Sequence, residues 1–172
     1  IRLFNINTKL IYGGLIHHIK LFAEQRDYDL ILNDGLDDIN DYSIPQLESF
    51  TKEYKIKPYD YQLGAFAHAL RTERALILSP TASGKSLISY LLVRHYLNMI
   101  DNNILIIVPT TSLVEQLYKD FKDYGFDVEN SCHRIYSGKD KNTDKRVLIS
   151  TWQSIYRLPH QWFEQFGAVF GD

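Results

Sequence analysis

The sequence predicts an α/β fold in which a doubly wound parallel sheet follows part of a small α/β unit. From Pro58 onward, apolar runs alternate with amphipathic stretches of helical period, which is the pattern of such a sheet. The run Asn103–Val108 is apolar on both faces, as expected of a buried parallel strand. Residues 79–86, Ser-Pro-Thr-Ala-Ser-Gly-Lys-Ser, join the apolar run 75–78 to a helical pattern. A strand, a Gly-Lys-Ser loop and a helix in that order are typical of a phosphate-binding loop.

The first unit is predicted to span residues 1–55. Strands are expected at Ile1–Phe4, Leu10–Tyr12 and Tyr28–Leu32, a helix at 15–23 and a loop around 33–38. A short helix should begin after Ser43, because Ser43 and Gln46 have the spacing of a capping box and Pro45 falls in the first turn. The boundary with the second unit is expected within residues 53–58.

The second unit, residues 56–172, is predicted to alternate helices with apolar strands. Helices are expected at 60–71, 85–99, 112–123 and 159–166, and strands at 75–78, 104–108, 147–150 and 168–171. Cys132, the only cysteine, lies in a mixed apolar and polar run, so we expect a strand residue there rather than a nucleophile. Ligands should gather at the carboxyl ends of the strands.

Composition indicates a folded protein of a reducing, cytoplasmic compartment. Hydrophobic residues make up 45% of the 172 residues, and no apolar run is long enough to cross a membrane. The single cysteine allows no internal disulfide. Met99 is the only methionine, and the sequence stops where a predicted strand ends. We therefore expect a piece of a longer protein.

The net charge of −2 hides an asymmetry along the chain. Residues 27–53 hold six Asp, two Glu and one Lys, which gives −7. Residues 131–157 hold six Lys and Arg against two Asp, which gives +4. The second half is therefore the part that can offer contacts to a polyanion such as nucleic acid.

The loop at 79–86 has the chemistry of a nucleotide site. Its backbone N–H groups, at Thr81, Ala82, Ser83 and Gly84, should converge on phosphate oxygens beside the positive end of the following helix. Lys85 should reach the β- and γ-phosphates of ATP, and the Ser86 hydroxyl should hold Mg²⁺. One position departs from the general pattern, because Ser79 replaces the first glycine.

Three further polar segments follow predicted strand ends. Strand 104–108 leads into Pro109 and Thr110, with Gln116 in the next helix. Strand 147–150 leads into Thr151, Trp152 and Gln153. The last strand ends at Asp172, whose carboxylate would be placed to orient magnesium waters beside the loop.

These segments together resemble superfamily 2 helicases. The motif order is Tyr-Gln at 61–62, the loop at 79–86, Ile-Val-Pro-Thr-Thr-Ser-Leu at 107–113 with Gln116, and Ser-Thr-Trp-Gln-Ser at 150–154. The resemblance spans nearly the whole chain and is nearest to the phage recombination helicases. It implies a RecA-like first motor domain, truncated, after part of a small N-terminal α/β domain. If the protein is encoded by a phage, the resemblance also implies the cytoplasm of the host cell as its location.

The resemblance implies roles for individual residues. Lys85 and Asp172 are the candidate catalytic residues. Asp172 matches the first acid of the family's Asp-Glu-x-His box, and Asp172 and Ser86 are the candidate metal ligands. Gln62 matches a glutamine that recognises adenine, with Tyr59 or Tyr61 stacking on the base. The family often has arginine just before that glutamine, where this chain has Asp60 and Tyr61. The implied nucleic-acid contacts are Pro109, Thr110, Gln116, Thr151 and Gln153.

Thr110 and Thr151 also have an alternative role, because both stand where a strand gives way to a helix and a threonine there can cap the helix. The two roles are compatible.

The leading hypothesis is the front part of an ATP-dependent DNA helicase or translocase. Its substrates would be branched or single-stranded DNA, with RNA–DNA hybrids as further candidates. Without the second motor domain, this part alone is expected to bind nucleotide weakly and not to hydrolyse it at a useful rate. The alternatives are a motor subunit of a restriction enzyme, a P-loop kinase of a small metabolite, and a noncatalytic DNA-binding module.

Overall fold

The computed structural model describes residues 4–5, 7–11, 15–31, 42–72 and 74–172. In chain order, its elements are β1 Phe4–Asn5, β2 Leu10–Ile11, α1 Ile16–Glu24, α2 Ile44–Thr51, α3 Asp60–Thr72, α4 Lys85–Met99, β3 Asn103–Val108, α5 Thr111–Asp123, α6 Val128–Ser131, β4 Cys132–Ile135, β5 Val147–Thr151, α7 Trp152–Ile155, α8 His160–Phe163 and β6 Phe166–Gly171.

Four parallel strands form the main sheet, in the order β4-β5-β3-β6. Strand β3 lies between β5 and β6, and Ile106 is level with Ile149 on one side and Phe170 on the other. Alternate residues of β3 face two different cores, because Ile104 and Ile106 pack in one cluster and Leu105 in another. Helices therefore cover both faces, and the predicted α/β fold with a doubly wound parallel sheet is confirmed.

The larger core joins the sheet to α2, α3, α4 and α5. Phe66 and Tyr90 are among its largest buried side chains, and the Phe50 ring stacks on Phe66 with centroids 6.0 Å apart. Leu47 of α2 is 2% exposed in the same core. Helix α2, which the sequence analysis assigned to the first unit, thus packs with the elements of the second.

The predicted strand at 75–78 is wrong. These residues adopt no regular structure, and Leu76 and Leu78 are 84% and 88% exposed. A strand forms only where a neighbour supplies hydrogen bonds. No strand of the described sheets pairs with these residues, and Leu76 and Val169 of β6 both line a cavity of about 330 Å³.

The predicted helix at 159–166 is also too long at its end. Helix α8 stops at Phe163 and β6 begins at Phe166. The Asn103 N–H donates to the Gln165 carbonyl at 3.0 Å, so pairing with β3 starts where the helix was expected to continue. The other predicted boundaries of the second unit agree within two residues, and Cys132 is a strand residue, as predicted.

The described part of the first unit contains a short antiparallel hairpin, in which Phe4 pairs with Ile11, and then helix α1. Residues 28–31 adopt no strand, so that prediction is wrong over its described part. The predicted loop at 33–38 and the ends at 1–3 and 12 lie outside the described residues.

The predicted capping box before α2 is confirmed, since the Ser43 N–H donates to Gln46 Oε1 at 2.9 Å. Within the described ranges, no helix has both the length and the apolar character needed to span a bilayer.

Candidate functional site

The loop before α4 has a backbone that requires glycine at one position. Gly84 caps α4 with φ of 78°, in the left-handed region, and a Cβ there would collide with the side-chain amide of Gln62. The Ser83 hydroxyl donates to the Pro80 carbonyl at 2.7 Å and also hydrogen-bonds to the Ser79 hydroxyl. Ser79, the departure from the usual glycine, therefore contributes a hydroxyl to the turn.

Lys85 and Ser86 are the first two residues of α4. Their backbone N–H groups have no acceptor within their own helix and lie at its positive end, which suits phosphate oxygens. The Lys85 ammonium lies 3.3 Å from the Pro80 carbonyl and 3.4 Å from that of Ser79. The loop thus keeps the charge close to its own backbone.

One cavity of about 400 Å³ brings this loop together with the end of β6. Lys85, Ser86 and Asp172 all line it, as do Gln116 and Asp120 of α5. The Asp172 N–H donates to the Ile107 carbonyl at 3.0 Å, which continues the β3–β6 ladder and fixes Asp172 at the carboxyl edge of the sheet.

The donor set of this cavity fits Mg²⁺. A hydroxyl and a carboxylate are hard oxygen ligands, and Mg²⁺ is normally held by one or two carboxylates plus phosphate and water oxygens. The described residues contain no group of three or more His, Cys, Asp or Glu that could hold a metal ion.

The first turn of α3 is tied to the loop. Gln62 is 3% exposed, and its amide is engaged at both ends: Nε2 donates to the Ser83 carbonyl at 3.0 Å, and Oε1 accepts from the Tyr59 N–H at 2.9 Å. The Tyr61 hydroxyl donates to the same Ser83 carbonyl at 3.0 Å. The rings of Tyr59 and Tyr61 are exposed and nearly parallel, with centroids 5.8 Å apart. An exposed pair of this kind suits stacking by a base, whereas the Gln62 amide is turned into the protein.

The residues predicted to contact nucleic acid fall in different places. Pro109, Thr110 and Gln153 are exposed at the ends of β3 and β5, and Gln153 Nε2 donates to the Pro109 carbonyl at 3.5 Å. Thr110 caps α5 by accepting the Leu113 N–H at 3.3 Å, so its predicted capping role is confirmed. Thr151 is 4% exposed.

Thr151 and Gln116 therefore stand apart from that exposed group. The hydroxyl of Thr151 lies 2.8 Å from the Ser154 hydroxyl and makes no capping hydrogen bond to the backbone of α7, so the predicted capping by this side chain is wrong. Gln116 is exposed but lines the cavity with Lys85. Their predicted contacts with nucleic acid stay predictions.

Sequence analysis missed two residues of this region, Asp120 and Tyr124. Asp120 lines the cavity, and the Tyr124 hydroxyl lies 3.0 Å from the Ser86 hydroxyl. The available signal was spacing, because Gln116, Asp120 and Tyr124 follow one another at intervals of four and so share a helix face.

The pKa values of Cys132 and Glu115 are shifted from their ordinary values. Burial raises the pKa of the Cys132 thiol to about 12, so this cysteine stays protonated and is not a nucleophile, as expected. The hydrogen bond from Tyr136 lowers the pKa of Glu115, with a smaller effect from Arg134, whose Nη1 is 2.6 Å from the carboxylate. The Glu115 carboxylate is thus engaged by Arg134 of β4 and by Tyr136 just after it, and it does not line the cavity.

Residues 40–171 match the family described as the type III restriction enzyme res subunit. The chain belongs to this family. The match covers α2 through β6, and so includes the loop at 79–86 and all the strand ends described above.

One relative and one solved structure that are similar to this chain are named as helicases. The chain is 34% identical, over its whole length, to the ATP-dependent DNA helicase UvsW of Enterobacteria phage T4. It spans 36% of the length of that relative. A crystal structure of the UvsW helicase from bacteriophage T4 is similar with a TM-score of 0.83 and 33% identity, over all of this chain and 64% of that one. A second crystal structure of T4 UvsW has a TM-score of 0.84 and 32% identity, over all of this chain and 37% of that one. The predicted resemblance to helicases is confirmed.

Proposed function

We propose that the whole protein is an ATP-dependent DNA helicase or translocase. The observation that carries this proposal is the cavity of about 400 Å³ that Lys85 and Ser86 of the loop line together with Asp172, which follows Ser86 by 86 positions. The named relative is an ATP-dependent DNA helicase, and the chain spans 36% of its length. Mg-ATP in the cavity would supply the free energy for movement, and branched or single-stranded DNA would be the track.

The residues of the cavity suit phosphoryl transfer from ATP to water, which yields ADP and phosphate. Lys85 supplies a positive charge to the terminal phosphates, and the loop N–H groups hold their oxygens. Ser86 and Asp172 would hold Mg²⁺, which would offset the negative charge of the phosphates. Tyr59 and Tyr61, exposed beside the loop, offer ring faces to the adenine.

DNA is assigned to the exposed ends of β3 and β5. Thr110 and Gln153 present hydroxyl and amide groups there, and Trp152 beside them is 52% exposed. Hydroxyl and amide contacts hold phosphates without distinguishing bases, so an enzyme that uses them can move over any sequence. The acidic stretch 27–53 is unsuited to this surface because its net charge is −7.

The test uses the whole protein with Lys85→Ala, and with Lys52→Ala as a control at an exposed lysine after α2. We expect Lys85→Ala to lower single-strand-stimulated ATP hydrolysis by about two to three orders of magnitude, since one contact to the developing charge is lost. DNA binding, measured by fluorescence anisotropy, should persist, while unwinding of a forked duplex should cease. Lys52→Ala should behave as the unchanged protein.

Two results would contradict the proposal. ATP turnover stimulated by nucleosides but not by DNA would indicate a small-metabolite kinase. Unwinding that persists in Lys85→Ala would indicate that the loop does not power the protein.

A further inference from the structure

Tyr124 contacts the phosphate loop from outside it. Its hydroxyl lies 3.0 Å from the Ser86 hydroxyl, across 38 positions of sequence. Tyr124 follows the last turn of α5, and its ring packs on Tyr90 with centroids 5.4 Å apart. The ring is therefore held by the core while its hydroxyl is directed at the first turn of α4.

The Tyr124 hydroxyl can take either role in its contact with Ser86. A phenol hydroxyl both donates and accepts hydrogen bonds, so it can receive the proton of the Ser86 hydroxyl.

A serine hydroxyl has one proton and two lone pairs. When its oxygen serves as a metal ligand, a lone pair faces the cation and the proton needs an acceptor elsewhere. The oxygens that line the cavity next to Ser86 include the carboxylates of Asp120 and Asp172, which the metal and its waters would also use. The phenol oxygen of Tyr124 is an acceptor on the side of the core.

We propose that Tyr124 is a positioning residue for the metal site: it accepts the Ser86 proton and so turns a lone pair of the Ser86 oxygen toward Mg²⁺. This inference rests on the proposed nucleotide site. It assigns Tyr124 no contact with nucleotide, and its effect is confined to the strength of metal binding. Partners that orient the ligands of a metal ion contribute to its affinity, although they do not touch the ion themselves.

The test is Tyr124→Phe in the whole protein, which keeps the ring against Tyr90 and removes only the hydroxyl. Binding of N-methylanthraniloyl-ATP is followed by fluorescence over a series of Mg²⁺ concentrations and in EDTA. We expect the half-maximal Mg²⁺ concentration to rise about three- to tenfold, the effect of one hydrogen bond, with the affinity in EDTA unchanged. In a Ser86→Ala background, Tyr124→Phe should have no further effect.

Tyr118→Phe is the matched control. Tyr118 is on the same helix, and its hydroxyl donates to Glu129 at 3.1 Å, away from the cavity. An unchanged Mg²⁺ curve for Tyr124→Phe overturns the inference alone, and so does an equal loss of affinity with and without Mg²⁺, which would mark a structural role. Absence of nucleotide binding in the unsubstituted protein would overturn the proposed function itself and this inference with it.

Discussion

Gln62 joins three parts of the site through one side chain. Its amide connects the backbone of Tyr59 to the carbonyl of Ser83, and its Nε2 occupies the space beside Gly84 that any larger residue would need. A buried amide with both ends engaged is costly to remove, because each former partner loses its hydrogen bond. The conformation of the loop therefore depends on a residue in another helix. Recognition of adenine by Gln62 stays a prediction.

We expect Gln62→Ala to weaken the binding of ATP and GTP by the same factor, about tenfold, because the lost contact holds the loop that binds the phosphates of both. Fluorescence titration with analogues of the two nucleotides, in the whole protein, measures this directly. Tyr61→Phe removes the other donor to the Ser83 carbonyl and should have a smaller effect in the same direction. A selective loss of ATP binding would instead show that Gln62 distinguishes the bases.

At the scale of residues, the sequence predicts what depends on neighbours along the chain. The loop residues 81–86 and the capping threonine at 110 follow from local order, because a turn and a helix start lie within a few positions in both places, with the end of β3 before Thr110. Tyr124 and the burial of Gln62 depend on contacts across 38 and 21 positions, which no short pattern contains. Thr151 differs from these two, because its hydroxyl is engaged by Ser154, only three positions along the chain.

Helix α4 carries the loop at its first turn and is fixed at its last turn by Arg146. The guanidinium donates to the carbonyls of Leu97, at 3.2 Å, and of Ile100 and Asn102 just beyond the helix. A cation at this end satisfies carbonyls that lack partners and also opposes the negative end of the helix. Arg146 stands directly before β5, so it joins the helix to the sheet.

We expect Arg146→Met to lower the free energy of unfolding by about 2–3 kcal/mol, because several hydrogen bonds to a charged group are lost while the aliphatic stem is kept. Urea denaturation followed by circular dichroism measures the change. Arg134→Met, which removes the partly exposed ion pair with Glu115, is the comparison and should cost less than about 1 kcal/mol. Equal losses for the two variants would contradict the assigned role of Arg146.

Helices and strands were predicted correctly where the pattern lies within the element itself. Prediction failed where pairing with another strand determines the structure. The helix at 85–99 is predicted by the sequence to the residue, and the strand at 103–108 to within one residue. The apolar run 75–78 has the composition of a strand, yet composition does not supply the neighbouring strand that gives it hydrogen bonds. The early start of β6 has the same cause, since pairing with Asn103 overrides a helical pattern.

An aromatic contact joins α2 to α4 and affects the stability of the whole fold. His95 is 8% exposed, its Nε2 lies 3.1 Å from the Tyr42 hydroxyl, and the rings of Tyr42 and Phe50 meet it edge-on at 5.1 and 5.8 Å. Burial lowers the pKa of His95 below its ordinary value of 6.5. The folded protein thus holds this imidazole neutral under conditions in which an unfolded chain would begin to protonate it.

The sign of the pH dependence follows from that depression. Above pH 6.5 both states are neutral at this position and the contribution to stability is complete; as the pH falls through and below 6.5, the unfolded chain binds a proton that the folded one resists. We expect the free energy of unfolding to fall between pH 7.5 and pH 5, and the slope to flatten in His95→Gln. Urea titrations at several pH values measure it, with the exposed His68→Gln as control. An unaltered slope in His95→Gln would show that other groups govern stability in this range.

The edge of β6 has a consequence for how the chain behaves in solution. Within the described residues, β6 pairs with β3 alone, and Val169 on it is 58% exposed. Val169 lines the same cavity as Leu76, and Leu76 and Leu78 of the 75–78 segment are exposed as well. An apolar strand edge of this kind is a template on which a foreign strand can extend the sheet. We therefore expect residues 1–172 on their own to associate through this edge. Solution conditions that prevent association then matter as much for purification and storage as conditions that keep the chain folded.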